Sequence, residues 1–496
     1  MKEVMVLRDE RQERFTRHPF FEWMQSDTLP PEQRLRFAPM GAFFIMQFRD
    51  MNRWVLRFPE PRNEFEWVID LGTWEDEKHS RMFLEDWGKL GLDRHLNWRA
   101  ADVLWWLFLS PDQEVFRRSG MEFVSLAVAD HDDALVRFGH SEAGEAAGHV
   151  FLDNTSRVAA ELAEQTGMNY RYFGSYHLDL ETGHVGNVEG VFENRVLDPE
   201  RRAETKVVCS RMADIFERIF DAFLAYAEQY IAKGAVPTRP VLPRRATAEW
   251  NAPPLTVIPI DWRDARVQQH LEMRKARAAA HPFYTWLRAE NGIRPQAKLQ
   301  RFIPMWVMDI FGYRDLNRYA MPYPQPDDPP RRAINDWAAR LSAHSDLFLG
   351  DWDSLGLDDL LGYSASDALR FIFLDPDMDL HREHMIEFAK IALRQDDPAV
   401  RWWMMTALES TGEEFFRQTS RLAHAVERET GRYLDYLCGR HDSPMTTTAP
   451  HRPPARLTRE TERTAMDIVD TVFDSMESQL WRSLTIAQAD KFGAAS

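Results

Sequence analysis

The chain has 496 residues, more than one ordinary hydrophobic core organises, and 44% hydrophobic against 28% charged residues predicts a folded protein of two or three domains. A formal net charge of −17, from 61 basic and 78 acidic residues with no arginine- or lysine-dense stripe, argues against nucleic acid as a partner. Two cysteines, Cys209 and Cys438, in no CxxC arrangement, exclude a disulfide scaffold or a thiolate zinc cluster as the organising principle and fit a reducing cytoplasm.

The N-terminal stretch "MKEVMVLRDERQERF" is charged throughout and has no apolar core segment, so no secretory signal is expected there. The longest strongly apolar run, "VLWWLFL" at Val103–Leu109, falls far short of the roughly 20 residues that span a bilayer, and no membrane partner is expected. What organises the chain is repetition. "HPFFEWM" at His18 returns as "HPFYTWL" at His281, 263 residues on. "RFAPM" at Arg36 returns as "RFIPM" at Arg301, and "FRDMNR" as "YRDLNR", both at an offset of 265. The fullest match sets "HSRMFLEDWGKLGLD" from His79 against "HSDLFLGDWDSLGLD" from His344, again 265 apart. "TSRVAAELAEQTG" from Thr155 matches "TSRLAHAVERETG" from Thr419 at 264. After His441 the second copy loses residues, and Asp214 pairs with Asp467 at 253. A period this long is a domain duplication rather than a solenoid. The expected division is residues 1–235, a proline-rich linker at 236–260, and residues 261–496.

Inside each copy the pattern is helical. "RMADIFERIFDAFLAYAEQYIAKG" places apolar residues three and four apart and ends on lysine-glycine. "TSRVAAELAEQTG" reads as a helix with Thr/Ser at its start and glycine at its end. Alternating Val/Ile-rich runs are few, and the expected class is all-α, two tandem helical bundles.

Three stretches of the first copy carry candidate metal ligands. In "YHLDLETGHV", His177, Glu181 and His184 are at i, i+4 and i+7, within about 60° of one another on a helix. In "TWEDEKHS", His79 follows Glu75 by four residues and Asp76 by three, so either carboxylate shares its helical face. In "EAGEAAGHVF", Glu142 and Glu145 stand among small residues that leave room for an ion. Imidazoles and carboxylates without thiolates suit iron or manganese, and dinuclear carboxylate sites draw such residues from several helices of a bundle.

The order "ED..H", "E..G..F", "YF..H...E..H" resembles the heme-oxygenase-like diiron oxidases and oxygenases, over essentially all of the first copy and, in fold, the second. The resemblance implies two heme-oxygenase-like bundles and two Fe2+ ions, with a mixed manganese–iron pair as the variant. Its ligands would be Glu75 or Asp76, His79, Glu145, His177, Glu181 and His184, with no catalytic residue beyond them. Glu145 is preferred to Glu142 because it aligns with Glu409. The implied activity takes O2 as co-substrate and a small amino-acid-like or fatty-acid-like molecule, through N-oxygenation, desaturation or oxidative C–C cleavage in specialised metabolite biosynthesis. No flavin or NAD fingerprint occurs, so further electrons would come from an external donor.

The second copy loses most of this set. Glu75 and Asp76 align with Arg340 and Leu341, Glu181 with Met445 and His184 with Thr448; only His344, Glu409 and His441 keep ligand chemistry. The second copy is expected to bind no diiron centre and to act as a fused structural partner, an intramolecular pseudo-dimer. Rival readings are a haem oxygenase-like or thiaminase-like enzyme of the same fold, and a non-catalytic binding or scaffold protein.

Overall fold

A computed structural model gives the fold; it describes residues 1–129, 132–180, 191–192, 195–241, 262–343, 345–439 and 455–493. Among them there is no strand, as an all-α chain requires. Two compact units form: Met1–Arg239 with Ser364–Phe373, and Pro240–Tyr363 with Leu374–Ser496. The first unit therefore extends past the expected end at residue 235 and takes in ten residues from the second copy. Residues 242–261, where the linker was expected, lie outside the described residues.

In the first unit the main helices are α1 (Lys2–Thr16), α2 (Ala38–Asp50), α3 (Glu64–Asp76), α4 (His79–Lys89), α5 (Glu114–Ala129), α6 (Ala134–Thr166) and α7 (Pro199–Tyr226). In the second they are α8 (Trp262–Ala279), α9 (Val307–Asp315), α10 (Pro329–Leu341), α11 (Asp346–Leu355), α12 (Pro376–Arg394), α13 (Pro398–Thr430) and α14 (Arg459–Ala489). Helix α1 lies along α6 and α7, tied by Arg8 to Glu142 at 2.7 Å and by Arg11 to Asp214 at 2.9 Å. Gly139 lets α6 approach α7: a Cβ there would stand 3.0 Å from the Thr205 carbonyl oxygen.

The repeated sequences are structural devices, each built twice. In "HPF", His18 and His281 accept a hydrogen bond from the backbone N–H of Phe20 and Phe283, both at 3.2 Å, and a proline opens the helix that follows. In "FRDMNR", the buried Asn52 side chain donates to the Phe48 carbonyl at 3.1 Å where α2 widens into a π turn. Asn317 donates to Tyr313 at 2.9 Å in the same place after α9. The adjacent Arg49 and Asp50 lie 3.9 Å apart, and Arg314 and Asp315 2.9 Å apart.

In the "DW" motif, Asp86 is fully buried and its carboxylate accepts from the N–H groups of Arg171, Tyr172 and Phe173 at 3.0, 2.7 and 3.1 Å. Asp351 does the same for Tyr436 and Leu437 at 3.3 and 2.7 Å. Burial, larger than these two bonds, raises the Asp351 carboxyl well above its ordinary range. Trp87 and Trp352 each donate an indole N–H to an aspartate six residues on, at 2.8 Å.

One pair of positions departs from this parallel in a compensated way. Between α2 and α5 the first unit packs Gln47 against Gly120, where any Cβ would collide with the Gln47 side chain. Between α9 and α12 the second packs Gly312 against Met385, where a Cβ would stand 2.7 Å from Met385 Cγ. The large and small residues have changed places.

Two local expectations fail. Thr155 and Thr419 do not begin helices; each is fully buried inside a 33-residue helix, its hydroxyl bonded back to the carbonyl of Leu152 or Phe415. The helices begin instead at Asp133 and Asp397, whose carboxylates take the N–H groups of Leu135 and Ala399, and they end on Gly167 and Gly431, both at φ +69°. Nor do Asp76 and His79 share one continuous helix: α3 ends at Asp76 and α4 opens at His79, separated by Glu77 and Lys78.

Candidate metal centre

Within the first unit a cavity of about 170 Å³ opens among α2 to α7. Phe44, Ile45 and Phe48 of α2, Val68 and Ile69 of α3, Phe123 of α5 and Phe216, Ile219 and Phe223 of α7 form apolar walls. Of the stretch "MGAFFIMQFRDMNRW", Phe44, Ile45, Phe48 and Asn52 line the cavity.

Polar groups converge at one end of this chamber. The Asp86 carboxylate gathers the backbone at residues 171–173 and so presents the Tyr172 carbonyl to the short helical stretch 175–180. His177, 3% exposed, is bonded through Nδ1 to that carbonyl at 2.9 Å. This fixes the proton on Nδ1 and leaves the Nε2 lone pair directed away, as a metal-bound histidine needs. Nε2 faces His79 Nε2 at 3.0 Å; two nitrogens on one tetrahedral ion with bonds of about 2.05 Å are about 3.3 Å apart. The His79 ring stacks parallel to Phe48. Burial drives the His177 pKa down to about 4, outweighing the Tyr172 carbonyl and Asp86, which favour the charged form.

The carboxylates separate cleanly. Asp76 Oδ1 lies 3.8 Å from His79 Nε2 and lines the cavity, whereas Glu75 is exposed and does not. Burial raises the Asp76 pKa well above its usual range, the charges of Glu145 and then Glu75 add to this, and a hydrogen bond from Asn52 opposes it. Glu145 also lines the cavity. Glu142, on the same helix, pairs with Arg8 at 2.7 Å. The charge of Glu145 acts on the half-buried Asp76, an arrangement that positive charge would relieve, and imidazole with carboxylate suits a divalent first-row ion. No three of the ligand atoms of Asp76, His79, Glu145 and His177 lie mutually within 4.8 Å. Glu181 and His184 fall outside the described residues.

Two lining residues have no counterpart in the sequence reading. Asn52 was legible only as part of a repeat. His140, 1% exposed and packed edge-on to Phe123 at 4.1 Å, gives no signal in "FGHSEAGE". Its Nε2 is buried without a hydrogen-bond partner. Burial, reinforced by Arg137, brings its pKa down to about 3, against a hydrogen bond to the Phe123 backbone. Between the ordinary value near 6.5 and about 3, the unfolded chain holds a proton that the folded chain refuses, so stability falls as pH drops through this window. At pH 5 the loss is about 2 kcal/mol. His140→Phe is expected to remove that part, which urea unfolding of both proteins at pH 7 and pH 5 measures.

The second unit has a cavity of about 520 Å³, lined among others by Asp309, Tyr313, Arg340, Leu341, Glu409 and Gln479. Arg340 and Leu341 occupy the places of Glu75 and Asp76, as alignment predicts, and Asp309 that of Phe44. Burial lowers the Arg340 pKa while Asp336 and Glu409 hold it up, so a guanidinium supplies positive charge near Glu409. Asp309 binds His381 Nδ1 at 2.5 Å and Gln479 Nε2 at 2.6 Å. His344, His441, Met445 and Thr448 lie outside the described residues.

No family model matches the chain, and no curated protein matches it. No helix among the described residues is long and apolar enough to cross a membrane.

Proposed function

We propose that the first unit is the catalytic half of a non-heme diiron oxidase or oxygenase, built with the second as two tandem heme-oxygenase-like bundles. The observation that carries this reading is the meeting of His177 and His79 at 3.0 Å, with the His177 tautomer fixed by a backbone carbonyl and the half-buried carboxylates of Asp76 and Glu145 on the same cavity. Asp76, His79, Glu145 and His177 would hold the ions, completed by Glu181 and His184. When bound, two ferrous ions supply electrons to O2 and activate it for reaction with an organic substrate. Electrons beyond those come from an external donor.

The chain's own residues do the rest. The Tyr172 carbonyl keeps the proton off His177 Nε2. Asn52 orients Asp76 by a hydrogen bond. Phenylalanine and isoleucine walls exclude water and bind an apolar body, which favours a fatty-acid-like substrate over an amino-acid-like one. A haem oxygenase-like or thiaminase-like activity leaves the Asp76–Glu145 pair without a role, and a scaffold protein leaves the whole cluster without one.

Anaerobic Fe(II) titration of the full chain, with Mössbauer spectra before and after O2, tests the reading. About two irons per chain are expected, converting to a coupled diferric state. A folded protein that binds no iron overturns the proposal. About four irons would overturn the assignment of the second unit as iron-free.

A further inference from the structure

The second unit carries another cluster, apart from its cavity's buried charges. His424 and Glu427 stand three residues apart on α13, neighbours on one face, and Cys438 comes from the turn at residues 435–439 that Asp351 fastens in place. His424 Nδ1 is 3.1 Å from Glu427 Oε2 and 3.4 Å from Cys438 Sγ, and the three atoms lie within 4.8 Å of one another.

A proton on Nδ1 can be shared between the carboxylate and the weakly accepting sulfur, one hydrogen for three converging atoms. A cation satisfies all three atoms together. Around a tetrahedral ion with Zn–N about 2.05 Å, Zn–O about 2.1 Å and Zn–S about 2.3 Å, N···O is about 3.4 Å and N···S about 3.6 Å. Both observed separations are within roughly 0.3 Å of those values. The aligned positions of the first copy are Ala160, Ala163 and Gly174, so the three donors occur together only where the second copy has changed.

We infer that His424, Glu427 and Cys438 form a binding site for a divalent ion of the zinc type. Thiolate with imidazole and carboxylate selects Zn2+ over the hard cations that prefer oxygen. Glu427 Oε1 accepts the Leu434 N–H at 3.0 Å, which orients Oε2 toward the other two donors. His424 is exposed, so the ion enters from solvent, and Cys438 lines the second cavity, which puts the ion at its wall. Three protein donors leave a fourth position for water or a ligand.

Titration of the reduced full chain with Co2+, followed by its visible and near-ultraviolet spectrum, tests the site. About one Co2+ per chain is expected to give a thiolate-to-cobalt charge-transfer band, which Zn2+ displaces. Cys438→Ser should abolish the band, and His424→Ala should weaken binding by more than about 10-fold. His177→Ala should leave the band intact, separating this site from the first unit's cluster. A folded, reduced protein with no band overturns the inference. So does a band that survives Cys438→Ser, which would belong to Cys209.

Discussion

Replacing His177 by alanine is expected to lower iron affinity by more than about 100-fold, leaving fewer than one iron per chain where the parent holds about two. His177 is the described candidate ligand whose geometry is most fully fixed: buried, bonded at Nδ1 to the Tyr172 carbonyl, and opposed through Nε2 to His79. Alanine removes the imidazole whose Nε2 faces His79 and whose tautomer the Tyr172 carbonyl fixes. Asp76→Asn should lose iron nearly as severely, since an amide cannot supply the anionic oxygen, whereas Glu75→Gln should retain it. Iron content after anaerobic loading and desalting, with circular dichroism to establish the fold, distinguishes these outcomes. Equal losses in all three variants would mean that general acidity rather than this geometry retains the metal.

Asp86→Ala is expected to destabilise the first unit by about 3 kcal/mol or more, the largest stability effect foreseen for a single substitution. The buried N–H groups of Tyr172 and Phe173 and the half-buried one of Arg171 lose their acceptor, and each buried donor left unpaired costs about 1–3 kcal/mol. The effect is expected to extend to the candidate metal site. Residues 171–173 carry the carbonyl that sets the His177 tautomer, so residual folded protein should bind iron about 10–100-fold more weakly. Asp351→Ala, which releases two N–H groups, should cost less and leave first-unit iron unaffected. Thermal unfolding and iron titration on the two variants make the comparison, and equal effects on iron would sever Asp86 from the site.

How much of this was legible in the sequence follows from the range of the interactions. Helical periodicity is local, and it gave the all-helical class and helix ends such as Gly167 and Gly431. Repetition marked Asp86, Asn52 and His18 as important without saying how, because their partners include backbone atoms as far as 87 residues away. The pairing of His79 with His177 was expected only by resemblance; helix spacing alone does not bring two segments 98 residues apart into contact. Spacing also misled. Asp76 and His79 were expected on one helix, yet they meet across a break between two, a break that no glycine or proline announces. Thr155 looked like a helix start because its hydroxyl suits a cap, but in mid-helix the same hydroxyl bonds back to a carbonyl. His140 and the His424–Glu427–Cys438 cluster left no trace at all, since each acquires meaning only from what folds against it.

The exchanged pair at Gln47–Gly120 and Gly312–Met385 bears on how the two halves of the gene can change. Copying a single residue of the pair between halves breaks the fit either way: methionine at 120 meets Gln47 and glutamine at 312 meets Met385, while glycine at 47 or at 385 leaves two glycines facing a void. Short conversion tracts between the halves would thus be removed by selection unless they carried both α2 and α5, or both α9 and α12. The pair is a barrier to homogenisation. It allows the halves to remain recognisable as copies while their cavities drift apart in chemistry.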